Sequence, residues 1–234
     1  MNTSQFEVTL VDSMGSDLAV VNAARVSFNK QSEYETIEVG YDEDCNPGEP
    51  HTIKRLNNKD KKLIKYLAQH GHWTPFSQVQ YQVRIKAPIF VARQWFKHIV
   101  GITRNEVSRR YVDSTPEFYE PTTWRAKPTD GAKQGSSGAA ESQYFPNKYL
   151  KDIHENAIVC YEKMLAQGVC PEQARMILPQ SMMTEWVETG SLAAAARIYA
   201  QRTDAHAQVE IQELAKMFGD CLKDIAPISW GCLT

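Results

Sequence analysis

Several features that define other protein classes are missing from this chain of 234 residues. The five cysteines are odd in number and show no C-x-x-C spacing, which excludes a disulfide framework and a structural zinc site, so we predict no metal. No apolar run reaches the ~20 residues that a membrane-spanning helix needs. The opening segment MNTSQFEVTLVD lacks the basic start and apolar core of a signal peptide, so we expect a cytoplasmic protein.

Motifs of common catalytic classes are absent as well. The nucleophile elbow G-x-S-x-G, the glycine-rich motif G-x-G-x-x-G and the P-loop do not occur. No cysteine has the basic, helix-start setting that would lower its pKa. Ser108 has arginine neighbours but no adjacent histidine to act as its base. The sequence therefore gives no sign of nucleophilic catalysis, and it excludes a Rossmann fold as the holder of a nucleotide cofactor.

Basic side chains are concentrated between residues 88 and 111, in PIFVARQWFKHIVGITRNEVSRRY. The net charge of the whole chain is -2, so this positive charge is local and argues against wholesale binding of nucleic acid or membrane. Guanidinium groups bind phosphate oxygens through paired hydrogen bonds, and ammonium groups add charge. The segment therefore predicts a phosphate-binding site. The alternative is an ordinary basic helix followed by a solvated loop.

The periodicity of apolar residues predicts an α+β fold. Strands are predicted at 6–11, 79–85 and 182–188, and helices after Ser16-Asp17 and at 58–69, 89–100, 148–167, 171–178, 191–202 and 205–225. There are too few β-α-β units for a doubly wound sheet. We predict a single domain over residues 1–234, with helices around a mainly antiparallel sheet. Polar, turn-rich surface loops are expected at about 30–56 and 113–147.

Helical spacing groups several of the polar residues. If residues 89–100 are helical, Gln94, Lys97 and His98 share one face. Arg202 and His206 are also spaced i, i+4, and we expect them to point into one cleft; a simple helix-surface pair is the alternative. Arg175 is a long cation among apolar neighbours on the short helix, which suits either a binding site or an arginine whose stem covers apolar surface.

The segment RQWFKHIVGITRNEVSRRY resembles the signature of the flavin-dependent thymidylate synthases, in which an Arg-His-Arg triplet is followed by seven residues and a serine. Four more blocks resemble the family in the same order: NAARVSF, QHGHWTPFSQ, EQARMILPQ and RTDAHAQVEIQ. The triplet itself reads Lys97-His98-Ile99 here, and eight residues separate Ile99 from Ser108. The resemblance spans most of the chain.

The resemblance implies reductive methylation of dUMP to dTMP with FAD as cofactor and with NADPH and methylenetetrahydrofolate as co-substrates. It also implies that no enzyme cysteine attacks the pyrimidine, and that the protein is a homotetramer whose sites are shared between subunits. No nucleic-acid or membrane partner is expected. The alternative is a nucleotide- or nucleic-acid-binding module without catalysis, which the altered triplet favours.

The same resemblance assigns site residues. Arg202 matches the catalytic arginine that promotes ionisation at N3 of dUMP. The dUMP-binding positions are Gln94, Lys97, Glu106, Ser108, Arg109, Arg110, Arg175 and Arg202. The FAD-binding positions are Thr74, Lys97, His98, Ile99, Glu106 and Arg197, and His72 matches a histidine near the flavin and folate. Arg109 stands where the family often has glycine, so only its backbone role carries over. We further predict that Arg104 bends towards the charge missing at Ile99 and contacts FAD.

Overall fold

The structure is a computed structural model that describes residues 3–40, 51–129 and 135–234. Its strands are β1 (Glu7–Met14), β2 (Glu35–Gly40), β3 (His51–Arg55), β4 (Gln80–Pro88), β5 (Ile102–Glu106) and β6 (Met183–Ser191). Its helices are α1 (Asp17–Arg25), α2 (Asn58–Gln69), α3 (Ile89–Trp95), α4 (Tyr144–Ala166), α5 (Pro171–Ala174), α6 (Leu192–Arg202), α7 (Val209–Leu222) and α8 (Pro227–Leu233). Within these ranges, none of the helices combines the length and apolar character needed to cross a membrane.

Four strands form one antiparallel sheet in the order β1-β4-β6-β5. In β4 the side chains of Tyr81, Val83 and Ile85 are buried and alternate with more accessible neighbours, as the period-two pattern predicts. Strand β6 pairs with β4 from Met183 to Ser191 and occupies the second interior position of the sheet. The predicted α+β class with a mainly antiparallel sheet is therefore confirmed.

Strands β4 and β6 approach each other closely at Tyr81 and Gly190, which are paired in the register. A Cβ atom at Gly190 would lie 2.7 Å from the Tyr81 hydroxyl, well inside contact distance. Glycine leaves the space in which this hydroxyl donates to Oε1 of Glu188 across 2.7 Å. Burial, and after it the adjacent carboxylate, raises the pKa of Tyr81 well above its usual value, so the hydroxyl keeps its proton.

Helix α7 supplies much of the apolar layer against the sheet. Its buried residues Ile211, Leu214 and Phe218 recur every three or four positions, which is the spacing of one helix face. The Phe218 ring meets the rings of Tyr81 and Trp95 edge to face, with centroids 5.3 and 5.1 Å away. This packing fixes α7 against α3, and α6 packs against α7 in turn. The residues that follow α3 are thereby brought to the carboxyl end of α6.

Helix α3 ends at Trp95, five residues before the predicted end near Val100. The backbone N–H groups of Lys97 and His98 donate to carbonyls three residues back, at 3.4 and 3.1 Å, which tightens the last turn. The chain then passes through Gly101 at a φ of 74° into β5, a strand that the sequence did not predict. The prediction that Gln94, Lys97 and His98 share one helical face is therefore wrong, because the last two follow the helix.

Three further predictions differ from the structure. The segment 30–56, expected as a surface loop, contains the antiparallel ribbon β2–β3, and its residues 41–50 lie outside the described ranges. Helix α4 begins at Tyr144, before the predicted start at residue 148, and its His154 is fully buried whereas Ile153 is 53% exposed. Helix α7 begins at Val209, so Arg202 ends α6 and His206 lies in the turn between the helices. The two residues do not share a helix.

Helix α8 was not predicted from the sequence. It starts at Pro227, and its first backbone N–H groups, those of Ile228 and Ser229, donate to the carboxylate of Asp17 at 3.0 and 2.7 Å. This cap comes from a residue that is distant in sequence, and so no local pattern announces it. The Ser16 side chain, which precedes α1, accepts a hydrogen bond from the Tyr34 hydroxyl and makes no capping bond with the helix.

Candidate active site

A cleft of about 900 Å³ opens beside the turn that follows β5. We call it the first cleft. Five of the predicted dUMP-binding residues line it: Glu106, Ser108, Arg109, Arg110 and Arg175. The structure thus brings together residues from the end of β5, the turn at 108–112 and the short helical segment after Pro171. The feature of the sequence that predicted this cleft was the dense basic segment at residues 88–111. In the fold, the end of this segment forms one wall of the cleft.

The turn at residues 108–112 is built around Ser108. Its carbonyl accepts from the backbone N–H groups of Tyr111 and Val112 at 3.0 and 3.2 Å. Its hydroxyl accepts from both the backbone N–H and Nε of Arg110, at 3.3 and 3.2 Å. Arg109 donates from Nη1 to the carbonyl of Ser114. A hydroxyl, backbone amides and two guanidinium groups are therefore gathered in one turn, a donor set that suits a phosphate.

Two residues complete the wall of the first cleft. Arg175 is exposed and lines the cleft, and its Nε donates to the carbonyl of Glu172 at 3.3 Å. The carboxylate of Glu106 accepts from the hydroxyl of Thr184 on β6 at 2.6 Å, which holds one oxygen in place. The cleft therefore combines exposed cations with one fixed carboxylate, a set that suits a ligand carrying both an anion and hydroxyl or N–H donors.

A second cleft of about 840 Å³ lies at the carboxyl end of α6. Gln94, Arg202 and His206 line it, so the expectation that Arg202 and His206 face one cleft is met although they do not share a helix. Arg202 donates from Nε to Nε2 of His98 at 2.8 Å and from Nη2 to the carbonyl of Gln94 at 3.0 Å. Burial lowers the pKa of Arg202. Because the ordinary pKa of arginine is very high, the group remains a cation.

His98 is buried beside three arginines. Burial first, and then the charges of Arg202, Arg104 and Arg197, lower its pKa to about 4. The ring is therefore neutral at pH 7. Because its Nε2 accepts from Arg202, the ring proton is on Nδ1.

Arg104 does not take the role predicted for it. Its Nε donates to Oε2 of Glu188 at 2.5 Å and its Nη1 to the carbonyl of His98 at 2.6 Å. The guanidinium carbon lies 5.2 Å from the centre of the Phe96 ring, and the side chain is only 11% exposed. Arg104 therefore points into the fold and away from the surface position of Ile99. The prediction that it replaces the charge missing at Ile99 is wrong in this structure.

Glu188 is a residue of this region that the sequence reasoning missed. It is fully buried on β6 and, besides Arg104, accepts from the Tyr81 hydroxyl and from Nε1 of Trp95, at 2.7 and 2.9 Å. The sequence held a signal for it, because Glu188 occupies the same alternating positions as the buried Trp186 in a strand that was correctly predicted. A carboxylate at an inward strand position needs partners, and their identity was the missing information.

Four of the predicted flavin positions, Thr74, Lys97, Ile99 and Arg197, lie on the surface around two turns, whereas His98 is buried and Glu106 lines the first cleft. Lys97 and Ile99 belong to the loop after α3, and Ile99 is 71% exposed. Arg197 on α6 reaches the same loop and donates from Nη2 to the carbonyl of Val100 at 2.7 Å. Thr74 lies in the turn after α2 and is exposed. These side chains surround neither of the two clefts among the described residues.

His72 is the remaining predicted residue, in the turn that follows α2. Its ring lies near those of Tyr66 and His70, with centroids 6.2 and 6.4 Å away. Tyr66 and His70 stack on each other with centroids 4.1 Å apart, and all three side chains are exposed. Together they present a small aromatic surface that suits contact with a planar ring.

An antiparallel α+β frame that carries a guanidinium-lined turn in one cleft and an arginine beside a neutral histidine in another points to an enzyme that acts on nucleotides. The comparisons with known proteins identify which kind. The family described as thymidylate synthase complementing protein matches residues 9–228 of the chain. The chain therefore belongs to the family of flavin-dependent thymidylate synthases.

Individual relatives agree with this assignment. The flavin-dependent thymidylate synthase of Thermosipho africanus is 35% identical over 221 residues, which covers 93% of this chain and 86% of that protein. The enzyme of Thermus thermophilus is 35% identical over 223 residues, covering 95% and 73%. Among solved structures, the UMP/dUMP methylase PolB from Streptomyces cacaoi, bound with 5-Br dUMP, superposes with a TM-score of 0.80 at 27% identity, covering 99% and 96%.

Proposed function

We propose that this protein is a flavin-dependent thymidylate synthase that methylates dUMP to dTMP. Its membership of the family supports the reaction, and so does its likeness at a TM-score of 0.80 to a methylase bound with a dUMP analogue. The observation that carries the proposal is the pairing of Arg202 with a neutral histidine at the edge of the second cleft. A half-buried cation that is held in one orientation suits action on a bound ring better than passive binding does.

The first cleft is proposed to hold the nucleotide monophosphate. Ser108, the backbone of Arg109, and the guanidinium groups of Arg110 and Arg175 are the phosphate donors. Charge-assisted hydrogen bonds of this type are roughly twice as strong as neutral ones, and the paired donors of arginine fit a phosphate geometrically. Glu106, held by Thr184, is the acceptor for a hydroxyl or N–H group of the ligand.

Arg202 is proposed to act on the uracil ring. Two of its nitrogen atoms are bound to His98 and to the carbonyl of Gln94, so the guanidinium is held in one orientation. A fixed cation beside N3 lowers the free energy of the uracil anion, which makes C5 more nucleophilic. A carboxylate partner would offset the positive charge of Arg202. Neutral His98 holds Arg202 by a hydrogen bond and leaves its charge for the substrate.

FAD is the cofactor proposed for this chain, with NADPH and methylenetetrahydrofolate as co-substrates. When bound, the flavin supplies the redox chemistry of the reaction. The residues present fit a phosphorylated, planar cofactor, because Lys97 and Arg197 place two exposed cations around the loop at 97–100 and Ile99 adds exposed apolar surface. Thr74, His98 and Glu106 are further proposed flavin contacts. His72, within its aromatic surface, is proposed to lie near the flavin and folate.

A homotetramer with shared sites is the proposed assembly. Among the described residues the two clefts have no lining residue in common, although residues predicted to bind one dUMP molecule occur in both. Gln94 and Arg202 face the second cleft, and Ser108, Arg110 and Arg175 face the first. This division supports a site in which the first cleft of one subunit meets the second cleft of another. Light scattering during gel filtration gives the mass that tests it.

The test of the function is a reaction with purified protein. Incubation with dUMP, methylenetetrahydrofolate and NADPH should give dTMP, measured by chromatography, and the protein should show the visible absorbance of bound flavin. Omission of NADPH is the control, since an oxidised flavin then has no source of electrons and turnover does not continue. A colourless protein that binds no added FAD and yet binds dUMP without forming dTMP would favour the non-catalytic alternative. The cytoplasmic location stays a prediction.

A further inference from the structure

We propose that Arg104 and Glu188 are positioning residues of this site: their buried ion pair holds the backbone of His98, and His98 in turn fixes the orientation of Arg202. The effect of these two residues on turnover rests on the proposed function. Their effect on the position of the His98 ring can be measured without turnover. Neither residue is among those that the family resemblance assigns to the site.

The anchor of this arrangement is Glu188. Its carboxylate is fully buried and accepts three hydrogen bonds, from the Tyr81 hydroxyl, Nε1 of Trp95 and Nε of Arg104. The donors come from β4, α3 and β5, so the carboxylate is fixed from three directions. A buried carboxylate whose hydrogen bonds are satisfied resists movement, because displacement leaves a donor or an acceptor unpaired in the interior.

Arg104 extends this fixed point to the loop that carries His98. Arg104 and Glu188 are paired across β5 and β6, so their side chains are neighbours on one face of the sheet. From there Nη1 of Arg104 reaches the carbonyl of His98 at 2.6 Å, while the guanidinium packs over Phe96. One planar group therefore binds a strand carboxylate and a loop carbonyl at the same time. Lysine, with a single nitrogen atom, has no such fork.

The loop between α3 and β5 has few other restraints. Beyond the backbone bonds that close the last turn, the chain from Phe96 to Gly101 lies outside regular helix or strand, and both Ile99 and Val100 are exposed, at 71% and 67%. The bond from Arg197 to the Val100 carbonyl holds its far end. The bond from Arg104 holds its centre, at the residue whose ring accepts from Arg202. Loss of that bond should release the ring, and Arg202 then loses a partner.

The competing explanation is that Arg104 and Glu188 only stabilise the fold. The chain contains a matched ion pair that separates the two explanations. Asp60 is also fully buried, and it accepts from Nε and Nη2 of Arg25, at 3.1 and 2.5 Å, and from Ser32 and Asn57. Neither Arg25 nor Asp60 lines either cleft. Removing this pair should lower stability without any effect on His98.

The first experiment compares kinetics. Arg104→Met combined with Glu188→Gln leaves no unpaired buried charge, and Arg25→Met combined with Asp60→Asn is its control. We expect the first double variant, in its flavin-loaded form, to lose about tenfold or more in kcat with a smaller change in the KM for dUMP, since misorientation of a catalytic group acts on the bound state. The control should keep kcat. Equal kcat values for the parent and the first double variant would overturn the proposal.

The second experiment observes His98 directly by NMR of protein labelled with ¹⁵N-histidine. The parent ring should show the Nδ1–H tautomer and a pKa near 4, as burial and Arg202, Arg104 and Arg197 dictate. Arg104→Lys keeps the charge beside Glu188, so its free energy of unfolding should return from that of the first double variant to nearly that of the parent. The lysine does not span both acceptors, so the pKa of His98 should rise towards its usual value as the loop admits water.

The two readouts separate the inference from the proposed function. If the parent protein forms no dTMP, the proposed function fails, and the ring titration still decides whether Arg104 positions His98. If Arg104→Lys and the first double variant both retain the parent's tautomer and pKa, the positioning role is refuted whatever the kinetics show. A return of both stability and kcat in Arg104→Lys would also overturn it, because charge alone would then suffice.

Discussion

Arg202 and His98 are joined by one hydrogen bond of 2.8 Å, from the guanidinium Nε to the imidazole Nε2. The bond links the carboxyl end of α6 to the loop after α3. Arg202 is the last residue of its helix, where the aligned peptide dipoles favour a cation. This setting offsets part of the cost of partly burying the guanidinium. The histidine adds no opposing charge, so the site retains a half-buried cation whose direction is fixed.

Removal of Arg110 tests the phosphate assignment. Arg110→Ala should weaken dUMP binding by ~1.5–3 kcal/mol, or roughly ten- to a hundredfold, because a charge-assisted hydrogen bond to the phosphate is lost. Calorimetric titration with dUMP measures the effect. Arg93→Ala is the control, since Arg93 is an exposed arginine of the same basic segment that lines neither cleft. Unchanged affinity in Arg110→Ala would refute the assignment.

Substitution of Arg202 should affect turnover as well as binding. Arg202→Ala should lower the rate of flavin oxidation in a single turnover with saturating dUMP, by roughly a hundredfold or more, since electrostatic stabilisation of the uracil anion is lost. Arg202→Lys keeps the charge but loses one of the two bonds to His98 and Gln94, so it should recover only part of the rate. A full recovery would show that orientation is unimportant.

The reaction should not need a cysteine. Among the described cysteines, Cys160 and Cys170 are exposed and none lines either cleft. Burial raises the pKa of Cys221 and of Cys232, which disfavours their thiolates. Cys45 lies outside the described residues. A variant with all five cysteines replaced by serine should still form dTMP, provided that it folds and binds flavin. Loss of turnover traced to one cysteine would contradict the proposed reaction.

A charge restored at Ile99 should strengthen FAD binding. Because Arg104 is bound to Glu188 and His98, it does not supply this charge, and Ile99 is exposed enough to accept arginine. Ile99→Arg should lower the Kd of FAD by roughly fivefold, about 1 kcal/mol for a solvent-exposed ion pair. Val100→Arg, which adds the same charge at the exposed neighbour, is the control. Fluorescence titration of the apo forms decides, and an equal gain in both variants would mean a nonspecific effect.

The buried, neutral state of His98 predicts a dependence of stability on pH. Its pKa is lowered in the folded protein from an ordinary value of 6.5 to about 4. Below pH 6.5 the unfolded chain binds a proton at this residue that the folded chain does not. The contribution of neutral His98 to the free energy of unfolding is therefore complete above pH 6.5 and is lost as the pH falls towards about 4. Urea unfolding should show that His98→Gln loses less stability than the parent between pH 7 and pH 5.

The sequence predicted best those elements whose causes are local. Helix α2 has the predicted bounds, since Asn57 caps it by accepting from the Asp60 backbone N–H and Ile64 and Leu67 form its inward face. Strand β5 was missed because Ile102–Glu106 carries mostly polar side chains and becomes a strand through its pairing with β6. That pairing also shortens α3, because the chain must turn early to reach the edge of the sheet.

The same distinction applies to the site. The resemblance to a family named some of the lining residues of each cleft, because each of these residues lies within a contiguous motif. It did not give the partners of Arg104, since its pairing with Glu188 depends on the register of two strands separated by more than eighty residues. Because the family triplet has an arginine where this chain has Ile99, the sequence suggested that Arg104 replaces that charge, which is incorrect. Register is a property of the folded sheet, and a single sequence carries little information about it.

The close approach of Gly190 and Tyr81 has a consequence for how this protein can evolve. A side chain at Gly190 displaces the Tyr81 hydroxyl, its loss leaves the Glu188 carboxylate with one donor fewer, and Glu188 is the partner of Arg104. Each replacement made alone is therefore harmful, although a coordinated set need not be. We expect descendants and relatives of this sequence to keep the four residues together or to have exchanged them together, so that intermediate combinations are rare in surviving lineages.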